Sequence, residues 1–321
     1  MKVCVTGANG FIGRALCKYL AKQNYKVIGL VNSDKLIKKK NIKYYNVNLF
    51  KKNLNLSNIL NNVDCMIHCA AKAHNSYANN KSFFSELIKN NVDLTCILAK
   101  ETKKFKIPKF IFISSIGVNG SSTLKNKAFN SNDKPHPSDL YSSSKWKAEK
   151  YLKNFFKKTQ TKLIIIRPPL IYGPGVKGNL LKLINLINTG LPLPFGKINK
   201  LKSFLGLNNL LNFILICIKN PKACNQTFLI SDCQDISVSE FIKKLYKSIN
   251  KKIIFLPMSV WFLNILGFVL NKKKEIKKLT TPLQIDSDLS NKMLSWRPKY
   301  TIDYDIKRMG KWYLKQNDKI S

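Results

Sequence analysis

The chain has 321 residues, 45% of them hydrophobic, which is typical of a globular protein with one large or two modest domains. Its formal charge is +39, from 56 Lys and Arg against 17 Asp and Glu. Only four of the basic residues are arginines, and the lysines are spread along the chain instead of forming one basic arm. We therefore expect a lysine-coated surface that attracts anionic substrates, and no nucleic-acid partner.

The cysteines indicate a reduced protein. No CxxC pair occurs among the eight cysteines, and neither they nor the three histidines show metal-ligand spacing. Cys4, Cys65, Cys96 and Cys217 lie in apolar runs, where a thiol behaves as a small hydrophobic side chain. Since the first predicted strand begins at residue 2, no signal peptide is expected. The sequence thus predicts a cytoplasmic protein with no metal site.

A glycine-rich turn lies close to the start of the chain. Residues 2–6 are an apolar, β-branched run that predicts a strand, and residues 14–20 have helical spacing. Gly7, Gly10 and Gly13 lie between them, three residues apart. Such a turn lets backbone N–H groups approach a pyrophosphate at the positive end of the helix dipole. The spacing predicts a dinucleotide site.

The end of the second predicted strand, at 27–31, bears on the choice of cofactor. In sites that prefer NAD, an acidic residue at this strand end holds the adenosine ribose. Here the strand ends in Val31, Asn32 follows, and the next carboxylate is Asp34. Because no carboxylate stands at the strand end itself, NADP stays open as the alternative, although we expect NAD as the cofactor.

Strands and helices then alternate as far as residue 166. Strands are predicted at 44–49, 63–69, 110–114 and 162–166, and helices at 54–60, 83–105 and 141–157. This alternation predicts an α/β fold with a Rossmann-type, doubly wound parallel sheet covered by helices on both faces.

The pattern becomes less regular after Arg167, although a strand is predicted at 228–230 and a helix at 238–249. We therefore expect a dinucleotide-binding domain over 1–170. The residues from 171 to 321 are expected to form mainly a smaller C-terminal substrate-binding lobe, with segments around 200–232 returning to the first domain.

One apolar run, residues 253–270, has lysines on both sides and is long enough for a short membrane span. Pro257, Ser259, Asn264 and Gly267 interrupt it. A helix within the lobe is favoured, and contact with a membrane is the alternative.

Tyr141 and Lys145 are four residues apart on a predicted helix, so they share one face. The Lys145 ammonium would lower the pKa of the Tyr141 phenol, which would then accept a proton from a sugar hydroxyl as hydride leaves the same carbon. Ser115, at the end of the fifth strand, is placed to hydrogen-bond that oxygen. His68, on the fourth strand, is either functional or a buried, hydrogen-bonded histidine.

Taken in order, these motifs resemble the extended short-chain dehydrogenase/reductases of the NAD-dependent epimerase/dehydratase type. The motifs are GxxGxxG at 7–13, HxAA at 68–71, Ser114-Ser115, YxxxK at 141–145, RPPLIYGPGVKGN at 167–179, PLPFG at 192–196 and LSWRP at 294–298. The resemblance covers nearly the whole chain. It is strongest to the subgroup acting at C4 of UDP-hexoses and UDP-N-acetylhexosamines.

The resemblance implies the roles of individual residues. Ser115, Tyr141 and Lys145 would be catalytic, and Asn91 would support them. The cofactor-binding residues implied are Gly7, Asn9, Gly10, Phe11, Ile12, Gly13, Asn32, Asn48, Leu49, Cys69, Ala70, Ala71, Lys145 and Pro168. The substrate-binding residues implied are Ser115, Val118, Asn119, Tyr141, Asn179 and Lys202. A homodimer through the helices around 83–105 and 139–157 is also implied.

The sequence departs from the family pattern at several places. Leu170 stands where relatives often carry Asn, Lys202 where they carry Arg, and Val31 where many NAD epimerases have Asp. Residues 207–210 read Leu-Asn-Asn-Leu in place of a sequence resembling Val-Asp-Asn-Leu. Contacts to the substrate diphosphate and the choice of cofactor are the features that these departures affect.

Several reactions share this catalytic trio. A 4,6-dehydratase would need an Asp-Glu pair after Ser115, and Ile116-Gly117 stand there instead, so we do not expect one. The favoured function is a 4-epimerase of a UDP-hexose or UDP-N-acetylhexosamine with bound NAD, serving bacterial surface polysaccharides such as O-antigen. The alternatives are an NAD(P)H-dependent reductase of a UDP-4-keto-6-deoxy-N-acetylhexosamine and a non-catalytic dinucleotide-binding scaffold.

Overall fold

The computed structural model describes residues 1–32, 41–51, 55–72, 81–124, 127–252, 255–256, 258–269 and 273–318. The strands are β1 (Lys2–Thr6), β2 (Lys26–Val31), β3 (Ile42–Asn46), β4 (Cys65–His68), β5 (Lys109–Ile113), β6 (Lys162–Arg167), β7 (Leu170–Tyr172), β8 (Leu201–Lys202), β9 (Phe204–Gly206), β10 (Thr227–Leu229) and β11 (Ile236–Ser237). The helices are α1 (Phe11–Lys22), α2 (Ser57–Leu60), α3 (Lys81–Ile88), α4 (Leu94–Lys104), α5 (Leu140–Phe156), α6 (Gly178–Asn188), α7 (Leu207–Lys219), α8 (Val238–Ser248), α9 (Val260–Val269), α10 (Lys273–Thr280), α11 (Asp288–Leu294) and α12 (Ile302–Asn317).

Seven strands form one sheet in the order β3-β2-β1-β4-β5-β6-β10, and every pairing in it is parallel. The predicted Rossmann-type fold is therefore confirmed. The chain proceeds outward from β1 to β3 and then returns to place β4 on the other side of β1. This reversal leaves a crevice at the carboxyl ends of β1 and β4, where open α/β sheets bind ligands.

The strands bury both faces, which explains their nearly continuous apolar sequences. Val3 and Val5 point to the face covered by α1 and α7, in one hydrophobic cluster with Leu16 and Phe213. The alternate residue, Cys4, points to the other face and lies in the cluster formed with α4 and α5. Because successive side chains of a strand alternate, each strand holds a helical layer on each side of the sheet.

The C-terminal part has its own hydrophobic core. Side chains of α6, α8 and α12 form a separate cluster that includes Ile184, Leu245 and Ile306. However, α7 and Trp296 pack with the sheet, and β10 extends it beyond β6. The chain therefore passes between the two cores more than once, and the segment around 207–229 belongs to the packing of the large sheet.

Some elements differ from their predicted form. The long helix predicted at 83–105 is interrupted by a π-helical turn at Lys89–Asp93, which separates α3 from α4. The third strand is Ile42–Asn46 instead of 44–49, and the helix predicted at 54–60 is described only as Ser57–Leu60. Asp34 lies outside the described residues.

The apolar run at 253–270 contains α9, a helix of ten residues, while residues 253, 254, 257 and 270 lie outside the described part. Within the described ranges, no helix is both long enough and apolar enough to cross a bilayer.

Candidate active site

The residues predicted to bind the cofactor lie at one edge of the large sheet, after the carboxyl ends of its strands. Residues 7–13 follow β1, Asn32 follows β2, Asn48 and Leu49 come after β3, Cys69 to Ala71 follow β4, and Pro168 follows β6. Ser115 comes just after β5 at the same edge. Parallel pairing with an unbroken register brings these segments together, although they are far apart in the sequence.

The turn after β1 has room for backbone only. Gly7 has a φ of +65°, and a Cβ on it would lie 2.8 Å from the backbone nitrogen of Ala70. A Cβ on Gly13 would collide with the carbonyl oxygen of Gly7. Gly10 is the N-cap of α1, which has no side-chain cap and no acidic residue in its first turn. This uncapped helix end fits the diphosphate of a dinucleotide.

At the ends of β2 and β3, asparagine amides stand where many NAD sites have a carboxylate that holds the adenosine ribose. Val31 is buried at the end of β2, and Asn32 is exposed next to it. Asn48 is also exposed, and its side-chain oxygen accepts a hydrogen bond from the backbone N–H of Phe50 at 3.0 Å. An amide can hydrogen-bond ribose hydroxyls without repelling a 2′-phosphate, so the described residues at this edge do not discriminate between NAD and NADP by charge.

The catalytic helix α5 begins at a side-chain cap. The carboxylate of Asp139 accepts a hydrogen bond from the backbone N–H of Ser142 at 2.8 Å. Tyr141, in the first turn, is partly exposed, whereas Lys145 is 2% exposed. The Lys145 ammonium donates to the carbonyl oxygen of Ile113 at 2.7 Å, at the end of β5. This bond fixes the helix against the strand that leads to Ser115.

The pKa of Tyr141 differs from the sequence-based prediction. Burial raises it to about 12, and the nearby Asp139 carboxylate adds to the rise. Burial also lowers the pKa of Lys145 to about 8. The predicted lowering of the Tyr141 pKa is therefore wrong, because desolvation of the phenol dominates and the ammonium is bonded to a backbone carbonyl.

Ser115 is the N-cap of a 3-10 turn at Ile116–Val118, and its hydroxyl accepts a hydrogen bond from the N–H of Gly117 at 3.1 Å. A Cβ on Gly117 would collide with the hydroxyl of Ser142 and would lie 3.4 Å from the Ser115 hydroxyl. Because Gly117 has no side chain, Ser142 in the first turn of α5 can pack against the turn that follows Ser115. The structure brings the predicted serine to the tyrosine's end of the helix.

Asn91 lies in the π-helical turn and is 1% exposed. Its side-chain amide donates to the hydroxyl of Ser144 at 2.9 Å and to the carbonyl of Lys72 at 3.1 Å, and it accepts from the N–H of Lys72 at 2.8 Å. Ser144 in turn donates to the carbonyl oxygen of Tyr141 at 2.7 Å. Asn91 therefore joins the segment after β4 to the catalytic helix, and π-helical turns are frequent at functional sites.

His68 continues this network into the core. It is fully buried, and its two ring nitrogens lie 2.7 Å from the hydroxyl of Thr6 and 3.0 Å from that of Thr95. Thr95 donates to the carbonyl of Asn91 at 2.7 Å. Burial, with the charge of Lys145 adding to it, holds the pKa of His68 well below its usual range. Of the two predicted alternatives, the structure favours the buried, hydrogen-bonded histidine.

A buried ion pair lies on the inner face of α5, one turn beyond Lys145. The guanidinium of Arg167 makes two hydrogen bonds to the carboxylate of Glu149, at 2.9 and 2.5 Å, and both residues are almost inaccessible to solvent. Ser114 donates to the same carboxylate at 2.5 Å. The third donor of Arg167 bonds the side-chain oxygen of Asn119 at 2.9 Å. This cluster ties α5 to β5, β6 and the turn after Ser115.

The predicted substrate-binding residues differ in burial and in hydrogen bonding. Val118 and Asn119 are buried, and the Asn119 amide is occupied by Arg167 and by the carbonyl of Asn130. Asn179 is exposed in the first turn of α6. Lys202, on β8 in the lobe, donates to the carbonyl of Thr281, and burial lowers its pKa to about 8. These bonds give Asn119 a structural role, and substrate contacts by Val118, Asn119, Asn179 and Lys202 stay predictions.

Sequence reasoning missed the Glu149 and Arg167 pair, although two signals for it were present. Glu149 continues the four-residue spacing from Tyr141 and Lys145, which puts it on the same helix face. Arg167 ends a strand whose other residues are mostly apolar, so its charge had to find a buried partner. No signal of comparable strength in the sequence indicated the roles of Ser144 and Thr95.

Comparison with known proteins identifies the family of the chain. Residues 3–231 match the family described as NAD dependent epimerase/dehydratase. The chain is 35% identical to the UDP-glucose 4-epimerase of Vibrio cholerae over 322 residues, covering 99% of this chain and 97% of that protein. It is 30% identical over 61% of its length to an N-acetylglucosaminyl-diphospho-undecaprenol 4-epimerase of Escherichia coli O157:H7, of which 63% is covered.

Solved structures agree on the fold. The UDP-glucose 4-epimerase of Thermotoga maritima superposes with a TM-score of 0.80 at 21% identity, covering 99% of this chain and 100% of that one. The UDP-glucuronic acid 4-epimerase of Bacillus cereus gives a TM-score of 0.79 at 22% identity, covering 98% and 99%. The chain belongs to the NAD-dependent epimerase/dehydratase family, within the extended short-chain dehydrogenase/reductases.

Proposed function

We propose that this protein is an NAD-dependent 4-epimerase of a UDP-hexose or a UDP-N-acetylhexosamine. The observation that carries the proposal is the position of Tyr141 and Lys145. Both lie on one face of α5, with Lys145 bonded to the end of β5, next to Ser115 and at the edge that carries the glycine turn. A phenol, an ammonium and a serine hydroxyl at this edge are the groups needed to move a proton to and from a sugar oxygen.

In this proposal Tyr141 exchanges a proton with the C4 oxygen of the sugar, and Ser115 hydrogen-bonds the same oxygen. The bond from Lys145 to the carbonyl of Ile113 keeps the helix in register with β5. The glycine turn and the end of α1 hold the diphosphate of NAD. NAD, when bound, supplies a hydride acceptor for C4 and returns the hydride.

The relatives support an epimerase over the alternatives. The Vibrio cholerae protein, which matches along nearly its whole length, is named a UDP-glucose 4-epimerase. The structural neighbours named above include complexes with NAD and with UDP-glucose. An epimerase returns its hydride to the same sugar and so keeps its cofactor, whereas a 4-keto reductase consumes NAD(P)H at every turnover.

The first experiment is to denature the freshly purified protein and to identify the dinucleotide that is released. We expect close to one NAD per chain, and interconversion of UDP-glucose with UDP-galactose, or of the N-acetylated pair, without added cofactor. Protein that carries no dinucleotide, binds NADPH on titration and is inactive without it would favour the reductase. Protein that binds neither dinucleotide would overturn the proposal.

A second candidate substrate is a polyprenyl-diphosphate-linked N-acetylhexosamine, as in the name of the Escherichia coli relative. The observation that favours it is the exposed apolar surface of α9, which would place the site near a bilayer that holds such a substrate. Parallel assays of the nucleotide-linked and the lipid-linked sugar distinguish the two candidates. Faster turnover of the nucleotide-linked sugar would support the UDP-sugar epimerase, and faster turnover of the lipid-linked sugar would support the second candidate.

We also propose that the protein is a cytoplasmic homodimer that supplies precursors of surface polysaccharides. The aromatic rings of Tyr151 and Phe155 stack 5.4 Å apart on α5, and both remain partly exposed. Such a surface fits an interface made by α4 and α5 of two copies. Light scattering after size exclusion should give about twice the monomer mass, and a monomer at micromolar concentration would contradict the dimer.

A further inference from the structure

The helix α9 exposes a stripe of large apolar side chains. Trp261, Ile265 and Phe268 are 72%, 42% and 73% exposed, and Phe262 beside them is 46% exposed. Their spacing of four and three residues places the first three on one helix face, and Leu263, on the opposite face, is fully buried in the lobe core. The helix is thus fixed to the lobe by one side and presents aromatic rings on the other.

Two leucines outside the helix are exposed as well. Leu256, four residues before α9, is 44% exposed, and its N–H bonds the carbonyl of Leu193, two residues after Leu191, which is 57% exposed. Several large apolar side chains exposed together on one helix face, as on α9, indicate an interaction site, because each exposed side chain retains an unfavourable contact with water.

Exposed lysines flank this stripe in the sequence. Lys251 and Lys252 precede it, and Lys277 on α10 follows it. From residue 241 to residue 274 the sequence contains no Asp or Glu. The ten residues of α9 span about 15 Å, half the thickness of a hydrocarbon core, so the helix can lie in a bilayer surface but cannot cross it.

We propose that the α9 face docks on an anionic lipid bilayer, with Trp261, Ile265 and Phe268 inserted at the level of the headgroups and the flanking lysines against lipid phosphates. Tryptophan and phenylalanine on one face with lysines at the margins are the chemistry of interfacial membrane helices. Lysines contribute because each one near an anionic surface adds electrostatic attraction that decays within a Debye length. The docking does not depend on which sugar the enzyme epimerises.

The test is flotation of the full-length protein with vesicles of phosphatidylcholine alone and with vesicles that also contain the anionic lipid phosphatidylglycerol. We expect binding to the anionic vesicles that weakens as salt rises. The double variant Trp261→Ser/Phe268→Ser should bind at least about tenfold more weakly, since two large side chains lose their transfer from water. The control variant Leu124→Ser removes a side chain that is equally exposed, at 72%, and should bind as the wild type does.

A second measurement reads the insertion directly in the wild type. Trp261 is the most exposed tryptophan whose burial is described, so its emission should shift to the blue with anionic vesicles and be quenched by lipids brominated near the headgroup. The variant Trp261→Phe should lose this quenching and keep its vesicle binding. Thermal unfolding of each variant shows whether it is folded.

Three outcomes would overturn the proposal. Equal flotation of the double variant and the wild type would mean that lysines alone hold the protein on the vesicles. Absence of binding to anionic vesicles would exclude docking altogether. Self-association that the double variant abolishes, without vesicle binding, would assign the face to a second copy of the chain.

Discussion

The helices α5 and α9 have opposite surface patterns. The catalytic helix α5 buries Lys145 and Glu149, two charged side chains, against the large sheet. The lobe helix α9 exposes Trp261 and Phe268. Each helix reverses the ordinary rule that charges lie outside and aromatic rings inside. Both helices are therefore candidates for function, because proteins break the local rules of folding mainly at functional sites.

Energetically the two exceptions differ. The charges on α5 are compensated inside the protein, by Arg167 for Glu149 and by the carbonyl of Ile113 for Lys145. On α9, Trp261 and Phe268 are instead 72% and 73% exposed to solvent. Variants of α5 should therefore affect stability or turnover, whereas variants of α9 should affect association and leave turnover of a water-soluble substrate intact.

The largest expected effect is on turnover. Tyr141→Phe removes the proton donor and acceptor, and kcat should fall by about 10² to 10⁴-fold. The variant should release as much dinucleotide on denaturation as the wild type, because the substitution leaves the glycine turn and the bond from Lys145 to Ile113 unchanged. The comparison variant is Trp261→Ser/Phe268→Ser, whose kcat with a UDP-sugar should equal that of the wild type. Full activity of Tyr141→Phe would exclude its catalytic role.

The next effect is on stability. Glu149→Ala leaves the Arg167 guanidinium buried without its carboxylate, and unfolding free energy should fall by about 3–5 kcal/mol. The matched control is Asp288→Ala, which removes an exposed ion pair with Lys292 and should cost at most about 1 kcal/mol. Urea unfolding of both variants measures the difference. A loss for Glu149→Ala no larger than that of the control would show that the buried pair is not intact in solution.

A pH effect follows from Lys145. Burial lowers its pKa from 10.5 to about 8, so between these values the unfolded chain binds more protons than the folded one. The stability of the wild type should therefore rise relative to Lys145→Met as pH increases from 8 to 10.5, by at most about 3 kcal/mol. Below pH 8 the lysine is charged in both states, and the difference between the two proteins should be constant.

Urea unfolding of the wild type and Lys145→Met at pH 7, 9 and 10.5 makes this measurement, and the other lysines cancel because both proteins contain them. A difference that does not change with pH would mean that the Lys145 ammonium is hydrated.

The smallest expected effects concern Asp139, which caps α5 and forms an ion pair with Lys278 of α10 at 3.0 Å. Asp139→Ala should cost about 1 kcal/mol through loss of the cap, and Asp139→Asn, which keeps an acceptor, should cost less. Lys278→Ala should cost at most about 0.5 kcal/mol, since the pair is exposed. Thermal unfolding compares them.

Asp139 should also affect the pH dependence of kcat, which the loss of a helix cap alone would not change. Its carboxylate raises the pKa of Tyr141, so both Asp139→Ala and Asp139→Asn should shift the pH profile of kcat to lower pH. An unshifted profile in both variants would show that the carboxylate does not influence the phenol.

Local sequence signals predicted the parts of the site that depend on spacing. The glycine turn, the strand before it and the pair at 141 and 145 could be found because tight turns and helix faces are set by residues close in the chain. The π-helical turn at Asn91 could not be found in this way. The sequence of the turn is compatible with a continuous helix. The side chain of Asn91 is held by Lys72 and Ser144, which come from other parts of the chain.

Asn119 shows that a motif can point to a residue without showing which groups its side chain bonds. By resemblance it was expected at the substrate, but in the structure its amide is held between Arg167 and Asn130. An asparagine in a loop can bond a ligand or neighbouring protein groups, and the sequence does not say which partner is closer. That depends on where β6 places the Arg167 guanidinium.

Sequence alone was sufficient to predict the fold class, the glycine turn and the helical register of Tyr141 and Lys145, because periodicity and backbone freedom are properties of neighbouring residues. The electrostatics of the site and the exposure of α9 depend instead on tertiary packing. Desolvation raises the pKa of Tyr141, and the degree of desolvation depends on every element packed around the phenol. The exposure of Trp261 likewise depends on which face of α9 the lobe core covers, and an apolar helix does not fix that face from its own residues.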